Sequence, residues 1–171
     1  RRLADIDHLT GLANRRYFDE FLQREWLRAR RNQECLALIM IDVDEFKSYN
    51  DYYGHLHGDD CLRRIGAALV QTVKRSSDLV ARYGGEEFAV VLPATSEKGA
   101  LELAVQIQQA VASACIRHER SHSGEVITVS MGIATFTPQG DDTYRELVAV
   151  ADQALYQAKR QGRNCICLAS H

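Results

Sequence analysis

Two short stretches of this chain gather carboxylates at points of tight backbone. One is Asp42 and Asp44, at the end of an apolar run. The other is Glu86 and Glu87, directly after Gly84 and Gly85. If the two segments are neighbours in one sheet, three or four carboxylates share an edge. Like charges a few Å apart repel by roughly 4 kcal/mol per pair at an effective dielectric of ~20. Such a cluster either binds a cation or keeps some of its protons. Oxygen donors with no nearby His or thiolate pair suit a hard ion, Mg²⁺ or Mn²⁺. Glycines carry no side chain, so their turn lets a bulky ligand approach the backbone. A nucleoside triphosphate with its metal fits both features. The competing reading is a surface hairpin with two solvated glutamates.

Other polar groups favour the nucleotide. Lys47 follows the acidic strand closely, and Lys159 and Arg163 stand four apart, a spacing that shares one helical face. A triphosphate needs such cations at its far end. Asn50 and Asp59 can read a base edge: a carboxylate accepting two N–H groups suits guanine, with the Asn amide alongside.

These groups need elements to position them. Leu36 to Asp44 reads as a buried strand, too short for a helix. Its period of two puts Leu38, Met40, Asp42 and Asp44 on one face and Ala37, Ile39, Ile41 and Val43 on the other. Asn14 is an N-cap for a helix with Phe18, Phe21, Leu22, Trp26 and Ala29 at helical spacing. That helix ends in Arg28, Arg30 and Arg31, which suits its dipole. A short helix is predicted near Glu45 to Asp51. A longer one is predicted from Gly58 to Lys74, with Cys61, Leu62, Ile65, Leu69 and Val73 inward. Leu79 to Tyr83 and Glu86 to Leu92 form a hairpin, with Gly84 and Gly85 as its turn. Ser96 to Arg117 is predicted helical, Val126 to Thr135 a strand, and Tyr144 to Gln161 a helix stopped by Gly162. Cys165 to Leu168 is a last short strand. With an antiparallel hairpin and helices between the other strands, the fold class is α/β (α+β), with a mixed sheet rather than a doubly wound one.

Composition bounds the rest. The 171 residues suit one domain, spanning 1–171. A hydrophobic fraction of 46% and a charged fraction of 26% are ordinary for a globular protein. A net charge of −2 disfavours general nucleic-acid binding. No apolar run reaches the roughly 18 residues of a membrane span, so no membrane insertion is expected. The five cysteines are odd in number and lack CxxC spacing, which reads as reduced thiols and a cytoplasmic location. Cys165 and Cys167 share a strand face and are expected to pack in the core. The chain opens at Arg1 on a charged helical segment without a signal-peptide pattern. It is expected to be part of a longer, multidomain protein.

At this point a family likeness enters. Gly84-Gly85-Glu86-Glu87-Phe88 resembles the signature of the GGDEF family, the bacterial diguanylate cyclases, in its GGEEF form. Asp7 to Arg16 (DHLTGLANRR) resembles the family's opening block. Asp42-Val43-Asp44, Phe46-Lys47, Asn50-Asp51, Gly54-His55 and Gly58-Asp59 resemble its DxDxFKxxND…GHxxGD block. Ala151 to Tyr156, Ala158-Lys159 and Gly162 to Asn164 resemble its closing ADxALYxAKxxGRN. The likeness covers nearly the whole chain and looks closest to response-regulator cyclases of the WspR type.

The resemblance implies a largely antiparallel sheet flanked by helices, like the adenylyl cyclase domain and the polymerase palm. It also implies condensation of two GTP into cyclic di-GMP and two pyrophosphates, with two Mg²⁺ or Mn²⁺ per site and a homodimer facing in two-fold fashion. By matching position, Asp42, Glu86, Glu87 and the Val43 carbonyl are metal ligands, and Glu86 assists proton removal. Asn50 and Asp59 read guanine, with Phe46, Gly84 and Gly85 lining the substrate. Lys47, Lys159 and Arg163 hold phosphates, assisted by the backbone after Asp44. Arg75 and Asp78 resemble the family's RxxD inhibitory site for cyclic di-GMP; a salt-bridged turn is the simpler alternative. His55 and His57 form an HxH pair, with His55 structural in the family block. Glu45 stands where the family varies. The rival functions are a non-catalytic GTP or cyclic di-GMP receptor and a cyclase making a mixed dinucleotide.

Overall fold

The computed structural model describes residues 2–122 and 124–170. Arg1, at the head of the charged opening segment, lies outside them. Beyond it that segment makes one 3-10 turn, Leu3–Asp5, rather than a longer helix.

The apolar run after Cys35 forms the middle of the molecule. As β1 (Leu36–Val43) it is buried at every position, which takes a strand paired on both edges and covered on both faces. Its alternation divides the core in two. Ala37, Ile39, Ile41 and Val43 join one cluster, and Leu36, Leu38 and Met40 the other.

Four further strands complete one sheet: β2 (Leu79–Gly84), β3 (Glu87–Pro93), β4 (Val129–Phe136) and β5 (Ile166–Leu168). Their order is β2-β3-β1-β4-β5. Of these strands, among the described residues, only β4 and β5 pair in parallel with each other, so the sheet is mixed and largely antiparallel, as expected. The first cluster packs under α2 (Phe46–Tyr53), α3 (His55–Thr72) and α4 (Glu97–Ser113). The second packs under α1 (Arg15–Asn32) and α5 (Tyr144–Arg160). Asn14 caps α1 by accepting from the Tyr17 amide at 3.0 Å. Helix α5 lies directly on β4. A Cβ at Gly132 would meet the Leu155 nitrogen at 2.1 Å and the Ala151 oxygen at 2.4 Å.

Several boundaries differ from expectation. The hairpin turn falls on Gly85 and Glu86, not on Gly84 and Gly85. Gly84 ends β2 opposite Glu87, after a register shift that follows Arg82. Helix α3 begins at His55, one turn before Gly58. Helix α4 stops at Ser113 instead of Arg117, and Cys115 is left-handed with φ 50°. The chain doubles back there, burying Ile116 and pairing Arg117 with Val126 in a separate bridge. That is why β4 starts at Val129. Cys165 and Cys167 pack against Ala154 and Ala158, and the five cysteines are free thiols. Burial pushes the Cys61 thiol up to about 12. Among the described residues, no helix is long and apolar enough to cross a membrane.

The segment before α1 is tied to the hairpin. Ala13 bridges Ala81 in parallel, and its carbonyl accepts from the Arg82 amide at 2.9 Å. The Arg82 guanidinium then reaches two ways: to Asp7 Oδ1 at 3.2 Å and to the Gly85 carbonyl at 2.8 Å.

Candidate active site

Antiparallel pairing brings the two acidic segments to one end of the sheet. Asp42 stands directly opposite Glu87, and the Val43 amide donates to the Glu86 carbonyl at 3.1 Å. Asp42 is buried, while Glu86 and Glu87 are half-buried rather than fully solvated. Lys159, on the last turn of α5, donates from Nζ to Asp42 Oδ2 at 2.5 Å. Burial raises the Asp42 carboxyl to about 6; Lys159 opposes this, and Glu86 and Glu87 add to it. Glu87 is also raised, first by burial and then by Asp152, with Lys159 and Arg15 opposing.

The donor chemistry of this edge suits a hard divalent ion: its donors are carboxylate oxygens, burial and neighbouring carboxylates raise Asp42 and Glu87, and the Lys159 ammonium already answers Asp42. Among the described residues no group of three or more His, Cys, Asp or Glu is gathered closely enough to hold a metal ion. Asp42 is turned to Lys159 instead.

Asp44 keeps its expected facing: its amide continues the ladder to the Thr128 carbonyl, and its carboxylate meets Ser130, the residue opposite Asp42. Its oxygens are nevertheless already engaged. Asp44 is buried and accepts from Thr128 Oγ1 at 2.7 Å, Ser130 Oγ at 2.5 Å and the Asn164 amide at 2.9 Å. With its lone pairs used this way it braces β1, β4 and the segment after α5.

Lys159 and Arg163 do not share a helical face. Helix α5 ends at Arg160. The Arg163 amide then bonds the Ala158 carbonyl and the Gly162 amide the Lys159 carbonyl, a Schellman closure. Arg163 is exposed in left-handed backbone, φ 66°.

Lys47 is exposed at the start of α2. The Phe46 ring is buried and stacks on Tyr49, so only its backbone is left for a ligand. Asn50 Oδ1 is buried without a hydrogen-bond partner among the described residues. It lies against Gly58, where a Cβ would come within 1.8 Å of it. Asp59 follows, half-buried in α3. Gly84 and Gly85 have open space where a Cβ would stand.

Elsewhere, Arg75 donates to Asp78 Oδ1 at 2.7 Å, to the Pro93 carbonyl at 2.6 Å and to Thr95 Oγ1 at 3.1 Å. An ion pair closes this turn, with Arg75 half-exposed. Burial raises the Asp78 carboxyl, and Arg75 opposes the rise. His55 and His57 are exposed, and His57 lies edge-on to Tyr53.

Sequence reasoning missed three features. Gly58 is the seat of the Asn50 amide. Thr128 and Ser130 satisfy Asp44. Asp152 acts on Glu87, and its signal was its place seven residues before Lys159 on the same face of α5.

The chain matches the family model "Diguanylate cyclase, GGDEF domain" over residues 4–165. It is 41% identical over 164 residues to diguanylate cyclase DosC of Escherichia coli (strain K12), covering 96% of this chain and 35% of that protein. It is 38% identical over 164 residues to the response regulator PleD of Caulobacter vibrioides (strain NA1000 / CB15N), covering 96% and 36%. It thus spans about a third of the length of these curated relatives. Among solved structures, the GGDEF domain of DgcB from Caulobacter crescentus in complex with c-di-GMP is similar. Its TM-score is 0.88 at 35% identity, covering 100% of this chain and 96% of that one. The active GGEEF domain of a diguanylate cyclase from Vibrio cholerae gives 0.82 at 34% identity, covering 94% and 99%.

Proposed function

This chain belongs to the GGDEF diguanylate cyclase family, and from that premise we propose that it is the catalytic module of a longer, cytoplasmic signalling protein. Its reaction condenses two GTP into cyclic di-GMP and two pyrophosphates. The observation that carries this reading is the cross-strand pair of Asp42 and Glu87, with the Lys159 ammonium on Asp42.

Asp42, Glu86, Glu87 and the Val43 carbonyl would hold Mg²⁺ or Mn²⁺, two per site. When bound, such ions lower the pKa of an attacking 3′-hydroxyl and neutralise charge on the leaving pyrophosphate. Glu86 takes the hydroxyl proton. Lys159 leaves Asp42 for the β- and γ-phosphates, joined by Lys47, Arg163 and the first amides of α2. Asn50 Oδ1, buried without a partner among the described residues, accepts from a guanine N–H, and Asp59 accepts from the same edge. Gly84 and Gly85 leave room for base and sugar.

One domain holds one GTP. Each 3′-hydroxyl must reach the α-phosphorus of the other nucleotide, so two copies face each other across a two-fold axis. Arg75 and Asp78 bind cyclic di-GMP as an inhibitor: Arg75 forks onto a phosphate or stacks on guanine, and Asp78 accepts from the base.

The test is to incubate the protein with GTP and Mg²⁺ and identify the product by chromatography and mass. Cyclic di-GMP should form with wild type and vanish in E86A and E87A. GTP bound without turnover at high protein concentration would instead assign a receptor, and a mixed dinucleotide would refute the guanine-reading roles. Calorimetry should show cyclic di-GMP binding lost in R75A.

A further inference from the structure

Glu45 lies between the carboxylate strand and the helix that carries Lys47 and Asn50, yet the mechanism leaves it without a part. It is the N-cap of α2, in left-handed backbone with φ 53° and ψ 36°. An acidic side chain at a helix start can fold back onto the first amides, which have no intrahelical acceptors. Glu45 makes no such cap bond. Its Oε2 accepts instead from Ser121 Oγ at 2.8 Å and from the His122 amide at 2.7 Å. Its Oε1 meets His122 Nδ1 at 2.5 Å. The Glu45 carbonyl meets Nε2 of the buried His118 at 3.2 Å. Two tyrosines complete the grip on α2: Tyr52 Oη donates to Glu119 Oε2 at 2.9 Å, and the Glu119 amide donates to Tyr53 Oη at 3.0 Å.

We infer that segment 118–122 is a latch that holds the Glu45 carboxylate off the start of α2, leaving those amides to the phosphates of the substrate. The inference rests on the proposed use of that helix start by GTP. Two anions compete for one place, and the one in the chain is always nearby. A freed Glu45 occupies the amides and repels the incoming triphosphate. Glu45 is thus a positioning residue whose effect appears only when it is loose.

The test compares S121A/H122A, E45A and the triple variant by steady-state GTP kinetics. Loosening the latch should raise KM for GTP about fivefold, the size of a typical capping interaction, with kcat little changed. Adding E45A should return KM to near the wild-type value, because no carboxylate remains to swing back. A KM unmoved by S121A/H122A, or raised equally with and without Glu45, overturns the latch. Amide hydrogen exchange gives a readout apart from turnover: S121A/H122A should slow exchange at Lys47 and Ser48, and E45A should remove that slowing. Unchanged exchange at both amides overturns the latch as well. If wild type makes no cyclic di-GMP, the proposed function fails, while the exchange result still decides the latch.

Discussion

Lys159 does for Asp42 what a bound cation would do, and at residue scale that is testable. In the metal-free protein the Asp42 carboxyl, raised by burial to about 6, binds its proton more tightly folded than unfolded. Its titration therefore favours folding at low pH, a contribution lost as pH rises through about 6. Lys159→Met removes the ammonium that offsets this loss. The variant should lose about 1–3 kcal/mol at pH 7.5 and much less at pH 5, where Asp42 is largely neutral. Urea unfolding at the two pH values measures the gap. Gly58→Ala acts on recognition instead. Its methyl displaces the Asn50 amide, the far end of a flexible side chain, so stability should fall by only about 1 kcal/mol. If Asn50 reads guanine, KM for GTP should rise about tenfold with kcat nearly unchanged. GTP kinetics and a thermal melt on the same preparation separate the two effects.

Among elements, the contact between α5 and β4 is the least forgiving. A methyl at Gly132 meets helix backbone rather than a side-chain tip, and backbone cannot rotate aside. Gly132→Ala should cost about 3 kcal/mol or more and carry Lys159 away from Asp42; denaturant unfolding and the GTP turnover assay read the two consequences. The sequence revealed β1 because burial on both faces writes a continuous apolar run, and α1 because Asn14 and its stripe mark start and inner face. It misplaced the hairpin turn by one residue, because the register shift between Arg82 and Gly84 depends on the partner strand. The end of α4 was illegible: Ala114 and Cys115 carry no glycine or proline signal, although Cys115 is left-handed. In the site, carboxylate clusters beside glycines were visible as types and spacing. The Lys159–Asp42 bond was not, since 117 positions separate its partners. Alternation placed Asp44 on the correct face, but its donors Thr128, Ser130 and the Asn164 amide lie 84 to 120 positions away and left no local signal.

At the scale of the whole molecule, the proposed chemistry has an order. If two domains must meet, specific activity should climb with protein concentration and level off once dimers dominate. Initial rates over a dilution series check this, and a flat profile would count against the two-fold arrangement. One feature acts across the domain already: the Arg82 guanidinium, bonded to Asp7 on one side and to the Gly85 carbonyl on the other. A guanidinium is planar and keeps its charge at any physiological pH, so it works as a tie-rod. Whatever tugs or twists the arm ahead of α1 delivers that motion, with little slack, to the peptide next door to Glu86.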